Sequence, residues 1–139
     1  MTGVGSNHHV ELTTGDKIDI NACIFNGRET GISATGVSGV IIKNSIMQDL
    51  DRGVRSNNSS ANVEVYNNTI VADVECLEVL NDGHITEENN YLHAGGNPVY
   101  DDANGTISSG VTTATSTNEA LTPSLRNIAF DDSTFVDPN

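Results

Sequence analysis

Four stretches of this chain repeat one another at steps of 22, 23 and 22 residues, and that period limits what the chain can fold into more than any other property. Lys17–Ala22, Gly39–Asn44, Asn62–Asn67 and His84–Asn89 align so that Ile18, Val40, Val63 and Ile85 fall into one column. A second column further along each unit, Ile32, Val54, Leu77 and Val99, obeys the same three steps. Agreement in two separate registers marks an internal repeat, which has to be recognised before any local structure is assigned. A third apolar column reads Ile24, Ile46, Ile70 and Leu92. Its step of 24 between Ile46 and Ile70 implies one extra residue at a turn of the third unit. An incomplete earlier unit shows in His9–Leu12, which precedes Gly31–Ala34 by 22 residues.

Within a unit the apolar residues alternate over short runs, as in Ile18 and Ile20 or Val63 and Val65, and the runs are separated by Gly, Asn, Ser and Asp. Such alternation between turn formers reads as short strands rather than helix. Even Asp73–Leu80, the stretch nearest to a helical pattern, alternates and therefore reads as strand. A unit of this size cannot bury its apolar face alone, whereas stacked units make a continuous core. The expectation is an all-β solenoid of about four to five coils, each rising about 4.8 Å, the distance between hydrogen-bonded strands. Asn44, Asn67 and Asn89 fill one column, headed by Ala22. Asparagine tolerates left-handed backbone angles and both donates and accepts, so a ladder of stacked amides is expected at this corner.

The string Asn62–Ile70 closely resembles the repeat of right-handed parallel β-helices of the pectate-lyase-like type, with shorter variants beginning at Lys17 and Gly39. Phe135–Pro138 resembles a segment often found near the ends of such chains. The resemblance covers about residues 9 to 101 and implies a single-stranded, right-handed parallel β-helix. Leucine-rich repeats share the period and an Asn column, but they require several Leu per unit where this chain has Ile and Val. The family implied by the resemblance includes polysaccharide lyases and hydrolases, carbohydrate-binding surfaces, and bacteriophage tailspikes and capsid decoration proteins. The fold alone does not choose among them.

Charge narrows the choice. The 139 residues carry 6 Lys+Arg against 19 Asp+Glu, a formal balance of -13. A chain this acidic, with no basic cluster, lacks the electrostatic attraction that nucleic acids and anionic membrane surfaces demand. The first residues lack the basic start and apolar core of a secretory signal, so export by that route is not expected. Cys23 and Cys76 are too few for a disulfide framework and have no metal-ligand spacing, which makes them ordinary thiols.

Stepping by the repeat places Thr30, Arg52, Glu75 and Asn97 in one outward column and Ser33, Arg55, Glu78 and Tyr100 in another. These read as ladder ion pairs, Arg52 with Glu75 and Arg55 with Glu78, worth little if fully solvated. A lyase would need acids holding a cation beside a base. The outward acids available are Asp49, Asp51 and Asp73, near Arg52, and they align with Glu29, Val74, Arg28 and Leu50 rather than with one another. No catalytic residue, metal site or cofactor is expected. His8, His9, His84 and His93 do not form a ligand pattern.

The chain divides into a β-helix with its N-terminal cap over residues 1–104 and a Ser/Thr-rich linker with an extended cap or arm over 105–139. Glu87 and Asp101 occupy otherwise apolar columns, so the solenoid is expected to end near the fourth coil, with residues 105–118 outside the repeat. Beyond the linker, Leu121, Leu125, Ile128, Phe130 and Phe135 supply apolar groups for a cap or for a partner. The resemblance then implies a virion decoration protein, made in the host cytoplasm. It would sit on the capsid surface as a homotrimer and bridge major capsid subunits. The rival implied reading is a polysaccharide-binding or polysaccharide-cleaving β-helix.

Overall fold

The computed structural model of the chain describes residues 8–102, 104–109 and 113–116. Twelve strands and no helix occur among them. In chain order they are β1 (His8–Leu12), β2 (Asp16–Asn21), β3 (Ile24–Ala34), β4 (Ser38–Lys43), β5 (Ile46–Asn57) and β6 (Asn62–Tyr66). The second half comprises β7 (Thr69–Leu80), β8 (His84–Glu88), β9 (Tyr91–Ala94), β10 (Val99–Asp101), β11 (Thr106–Ser109) and β12 (Thr113–Ser116). One parallel sheet runs β1-β3-β5-β7-β9-β12, with β10 also pairing with β7, and the other runs β11-β8-β6-β4-β2. Each strand pairs with its counterpart one coil away, which makes a parallel β-helix of about four turns.

The two main repeat columns are the stacks of the interior. Ile18, Val40, Val63, Ile85 and Ile107 are in register, as are Val10, Ile32, Val54, Leu77 and Val99. Val40, Val63, Ile32, Val54 and Leu77 are completely buried. Asp73–Leu80 lies within β7, as its alternation predicts. The early partial unit is real too, with Val10 beside Ile32 and Leu12 beside Ala34.

The third column differs from its sequence-based reading. The interior stack is Phe25, Met47, Ile70 and Leu92, at steps of 22, 23 and 22, while Ile24 and Ile46 face outward. Two adjacent apolar residues, Ile24-Phe25 and Ile46-Met47, leave the alternation ambiguous by one residue, and a one-residue slip reverses the face. The irregularity sits further on: β5 and β7 shift register on either side of the Leu50–Ala72 pair. Leu50 thus pairs with Ala72, and Asp73 is not its partner as the column arithmetic had it.

At the corner after β2, β4, β6 and β8, the residues Ala22, Asn44, Asn67 and Asn89 all have φ between 53° and 56°. This column therefore holds the left-handed turn, and its side chains are exposed. The ladder of buried polar side chains stands one residue later, on Ser45, Asn68 and Asn90. Asn68 Oδ1 accepts from the Ser45 N–H at 2.9 Å, and Asn90 Oδ1 accepts from the Asn68 N–H at 2.9 Å. Ser45 Oγ accepts in the same way from the Cys23 N–H at 3.2 Å. The amide N–H groups of Asn68 and Asn90 donate to the carbonyls of Ile42 and Val65 at 3.0 and 2.8 Å. Backbone groups at a tight corner cannot reach a strand partner, and these side chains satisfy them.

Pairing in the register of the repeat continues past residue 104. Ile107 pairs with Ile85 in β11, Ala114 pairs with Leu92 in β12, and so residues 106–109 and 113–116 continue the register expected to fade there. Glu87 does not mark the end of the interior either. It stacks on Val65, is fully buried, and its Oε2 accepts from Asn90 Nδ2 at 2.9 Å. Leu121, Leu125, Ile128, Phe130 and Phe135 lie outside the described residues, as do residues 1–7.

Candidate functional site

The chemically richest surface arises where β3, β5 and β7 bend. A β-carbon added at Gly31 would come within 3.0 Å of Leu50 Cδ1 and 3.5 Å of Met47 Sδ, so this position faces the core. The next residue, Ile32, is also fully buried. Gly53 and Val54 repeat the arrangement one coil on. Two consecutive inward residues break the strict alternation of a strand and turn the sheet. The residues on either side, Thr30 and Ser33 or Arg52 and Arg55, then face outward across the bend. Thr30 is 1% exposed and Ser33 4%, so the outer surface here is re-entrant and forms a trough.

The glycines make the bend possible. At Gly53 an added β-carbon would lie 2.4 Å from Ile70 Cγ2 and 2.5 Å from the Cys76 carbonyl oxygen, closer than any side chain tolerates. In the third coil the equivalent residue is Cys76, and there the bulky Leu50 of the second coil has given way to Ala72. The thiol occupies that room, donating toward the carbonyls of Ile70 and His93 at 3.3 and 3.1 Å. Burial pushes its pKa up to about 12, which disfavours the thiolate.

Register brings the two outward columns together as the repeat predicts: Thr30 beside Arg52 beside Glu75, and Ser33 beside Arg55 beside Glu78 beside Tyr100. Arg52 Nε stands 3.1 Å from Glu75 Oε2 and 3.4 Å from Glu78 Oε2, and Arg55 Nε donates to Glu78 Oε2. Glu78 therefore receives both guanidinium groups, one from each wall of the trough. The Arg52–Glu75 contact is an ion pair by distance, but no hydrogen bond is made by Arg52 Nε or by Glu75 Oε2. Burial raises the Glu75 pKa, a push that the neighbouring Glu78 adds to and that the Arg52 charge only partly opposes.

These pairs are more enclosed than solvated ladder pairs would be, with side-chain exposures of 25% and 14% for Arg52 and Glu75, and 22% and 8% for Arg55 and Glu78. The alternation pattern cannot reveal this, because a glycine that faces inward leaves no apolar mark in the sequence. Chemically, two guanidinium groups face two carboxylates, and Glu11 adds a further, exposed carboxylate in register with Ser33. An exposed Tyr100 closes its far end.

The other candidates do not assemble. Asp49 and Asp51 both lie on β5, and the Leu50–Ala72 pairing makes Asp51 and Asp73 the next residues of the two strands at the register shift. Among the described residues no group of three or more His, Cys, Asp or Glu is placed to hold a metal ion. Cys23 and Cys76 are both free thiols. Comparison with protein families, with curated proteins and with solved structures finds no match to this chain.

Proposed function

We propose that the chain is a non-catalytic structural solenoid that attaches to the surface of a larger assembly, in its most specific form a capsid decoration protein of a tailed bacteriophage. In that form it bridges major capsid subunits as a homotrimer and stabilises the shell. The observation that supports a structural role is the trough: its acids and bases are paired with one another, and Glu78 is held by both Arg52 and Arg55. A general acid or base must be able to exchange its proton with a substrate, and a carboxylate clamped by two guanidinium groups is poorly suited to that. A stacked, rigid core with outward columns suits display and bridging.

The test is binding to the capsid encoded by neighbouring genes. Purified chain should co-sediment with particles that lack it and raise their thermal disruption temperature. Failure to bind, or binding without stabilisation, overturns the proposal.

One feature favours a second reading. Tyr100 is 38% exposed at the end of the trough, in register with Glu78, and an exposed ring beside polar groups can stack on a sugar. Release of unsaturated uronate from polyuronates, abolished by Arg52→Ala or Arg55→Ala, would replace the structural reading with a lyase.

A further inference from the structure

The Arg52 guanidinium stands between two carboxylates. Its Nε lies 3.1 Å from Glu75 Oε2 and 3.4 Å from Glu78 Oε2, so either carboxylate can serve as its counter-charge. Arg52 Nε and Glu75 Oε2 are nevertheless buried without a hydrogen bond. Arg55 is settled by comparison, with its Nε donating to Glu78 Oε2. Charge-assisted hydrogen bonds are about twice as strong as neutral ones, so an enclosed pair that makes none leaves much of its attraction unused.

The two carboxylates differ in their company. Glu78 faces both guanidinium groups. Glu75 faces Arg52 from β5, with Arg55 acting more weakly and Glu78 on its own strand adding a like charge. On the other side, residues 95–98 pack against β7 ahead of β10, and none of them is ionisable. Tyr100 follows on β10, in register with Glu78. The nearest remaining acids along β5 and β7 are Asp51, half-buried, and Asp73, exposed. Burial disfavours the charged form of Glu75 and these neighbours do not offset it, so Glu75 is the carboxylate that takes up a proton first on acidification.

We infer that the trough is an acid-operated switch in which proton uptake by Glu75 passes Arg52 from Glu75 to Glu78. The proton comes from solvent, which reaches Glu75 through the 14% of its side chain that is exposed, and the O–H it forms is the only bond made. Arg52 then keeps one counter-charge, already within ion-pair distance, and a small side-chain rotation completes the transfer without disturbing the pairing of β5 with β7. Before the step two guanidinium groups face two carboxylates, and after it they face one. Among these four side chains the trough thus gains a positive charge, on a chain whose formal charge is -13. The switch involves no partner and stands apart from the function proposed above.

Proton–nitrogen correlation spectra of the arginine side chains in the full chain, recorded with the Glu75 and Glu78 carboxyl carbon signals from about pH 8 to about pH 5, test the inference. That range stays above the isoelectric point of about 4.3. The Arg52 Nε–H resonance should move along the same curve as the Glu75 carboxyl, with an unchanged circular dichroism spectrum. Glu75→Gln should show at about pH 8 the Arg52 position toward which the acidified parent moves, and should abolish the titration. In Glu78→Gln the second counter-charge is gone, so acidification should release Arg52 to solvent and speed exchange of its Nε–H with water several-fold. An Arg52 resonance that ignores the titration of Glu75 overturns the inference. So does proton uptake by Glu78 before Glu75, or an Arg52 resonance in Glu75→Gln that stays where the neutral parent has it. Should Glu78→Gln fail to fold, the parent and Glu75→Gln decide the matter by themselves.

Discussion

Asn90 Oδ1 accepts hydrogen bonds from both the backbone N–H and the side-chain Nδ2 of Asn68, one coil away, at 2.9 and 3.1 Å. Asn68 in turn accepts from the Ser45 N–H and donates to the Ile42 carbonyl. One amide thus serves backbone groups in the coil before it while being held by the coil after it.

Asn68→Ala should therefore cost about 2–4 kcal/mol, because buried donors and acceptors lose their partners rather than exchanging them for water. Asn67→Ala, next to it but exposed at the left-handed corner, should cost about 1 kcal/mol. Urea unfolding of the two variants decides the matter, and equal losses would contradict the ladder.

The same corner contains an avoidable strain. Ala22 has φ 54° where the later coils have asparagine, and a β-carbon makes that conformation costly. Ala22→Gly should stabilise the chain by about 1 kcal/mol, visible as a higher urea midpoint with an unchanged slope. No gain would mean that the first corner is relaxed by other means.

The two thiols should separate in reactivity. Cys76 is buried and its pKa is pushed up to about 12, whereas Cys23 is half-buried at the corner. A disulfide reagent at pH 8 should modify one thiol per native chain and two in denaturant, with mass spectrometry placing the native label on Cys23. Labelling of Cys76 in the native chain would show that its coil opens.

Glu75 should leave a mark on the pH dependence of stability. Burial holds its pKa above the ordinary carboxylate value, so the native state binds this proton more tightly than the unfolded chain does. With more protons on the native side, stability falls as pH rises from the unfolded value, about 4.3, through the raised native one. Glu75→Gln removes that titration, so between about pH 4 and pH 7 the variant should lose less stability than the parent. Parallel pH profiles would show that Arg52 fully compensates the burial.

Much of this architecture is legible in the sequence. Ile18, Val40, Val63 and Ile85 stack as their spacing requires, and the columns of Arg52 and Arg55 meet Glu75 and Glu78 by the same arithmetic. What escapes the spacing is parity and enclosure. Ile24 and Phe25 are both apolar, so alternation alone does not say which one points inward. Gly31 and Gly53 face the core without an apolar side chain to announce it, and this hides the bend that encloses Thr30 and Ser33. Glu87 misleads in the opposite sense, because a carboxylate in an alternating strand reads as solvent-facing, yet Asn90 helps to hold this one inside.

The exchange of Leu50 and Gly53 for Ala72 and Cys76 makes neighbouring coils individual parts rather than interchangeable links. A chimera with the second and third coils transposed would keep every period and every column of the repeat. It would nevertheless put large groups against large ones on one side of each junction and leave holes on the other, so the order of coils along the axis is itself encoded.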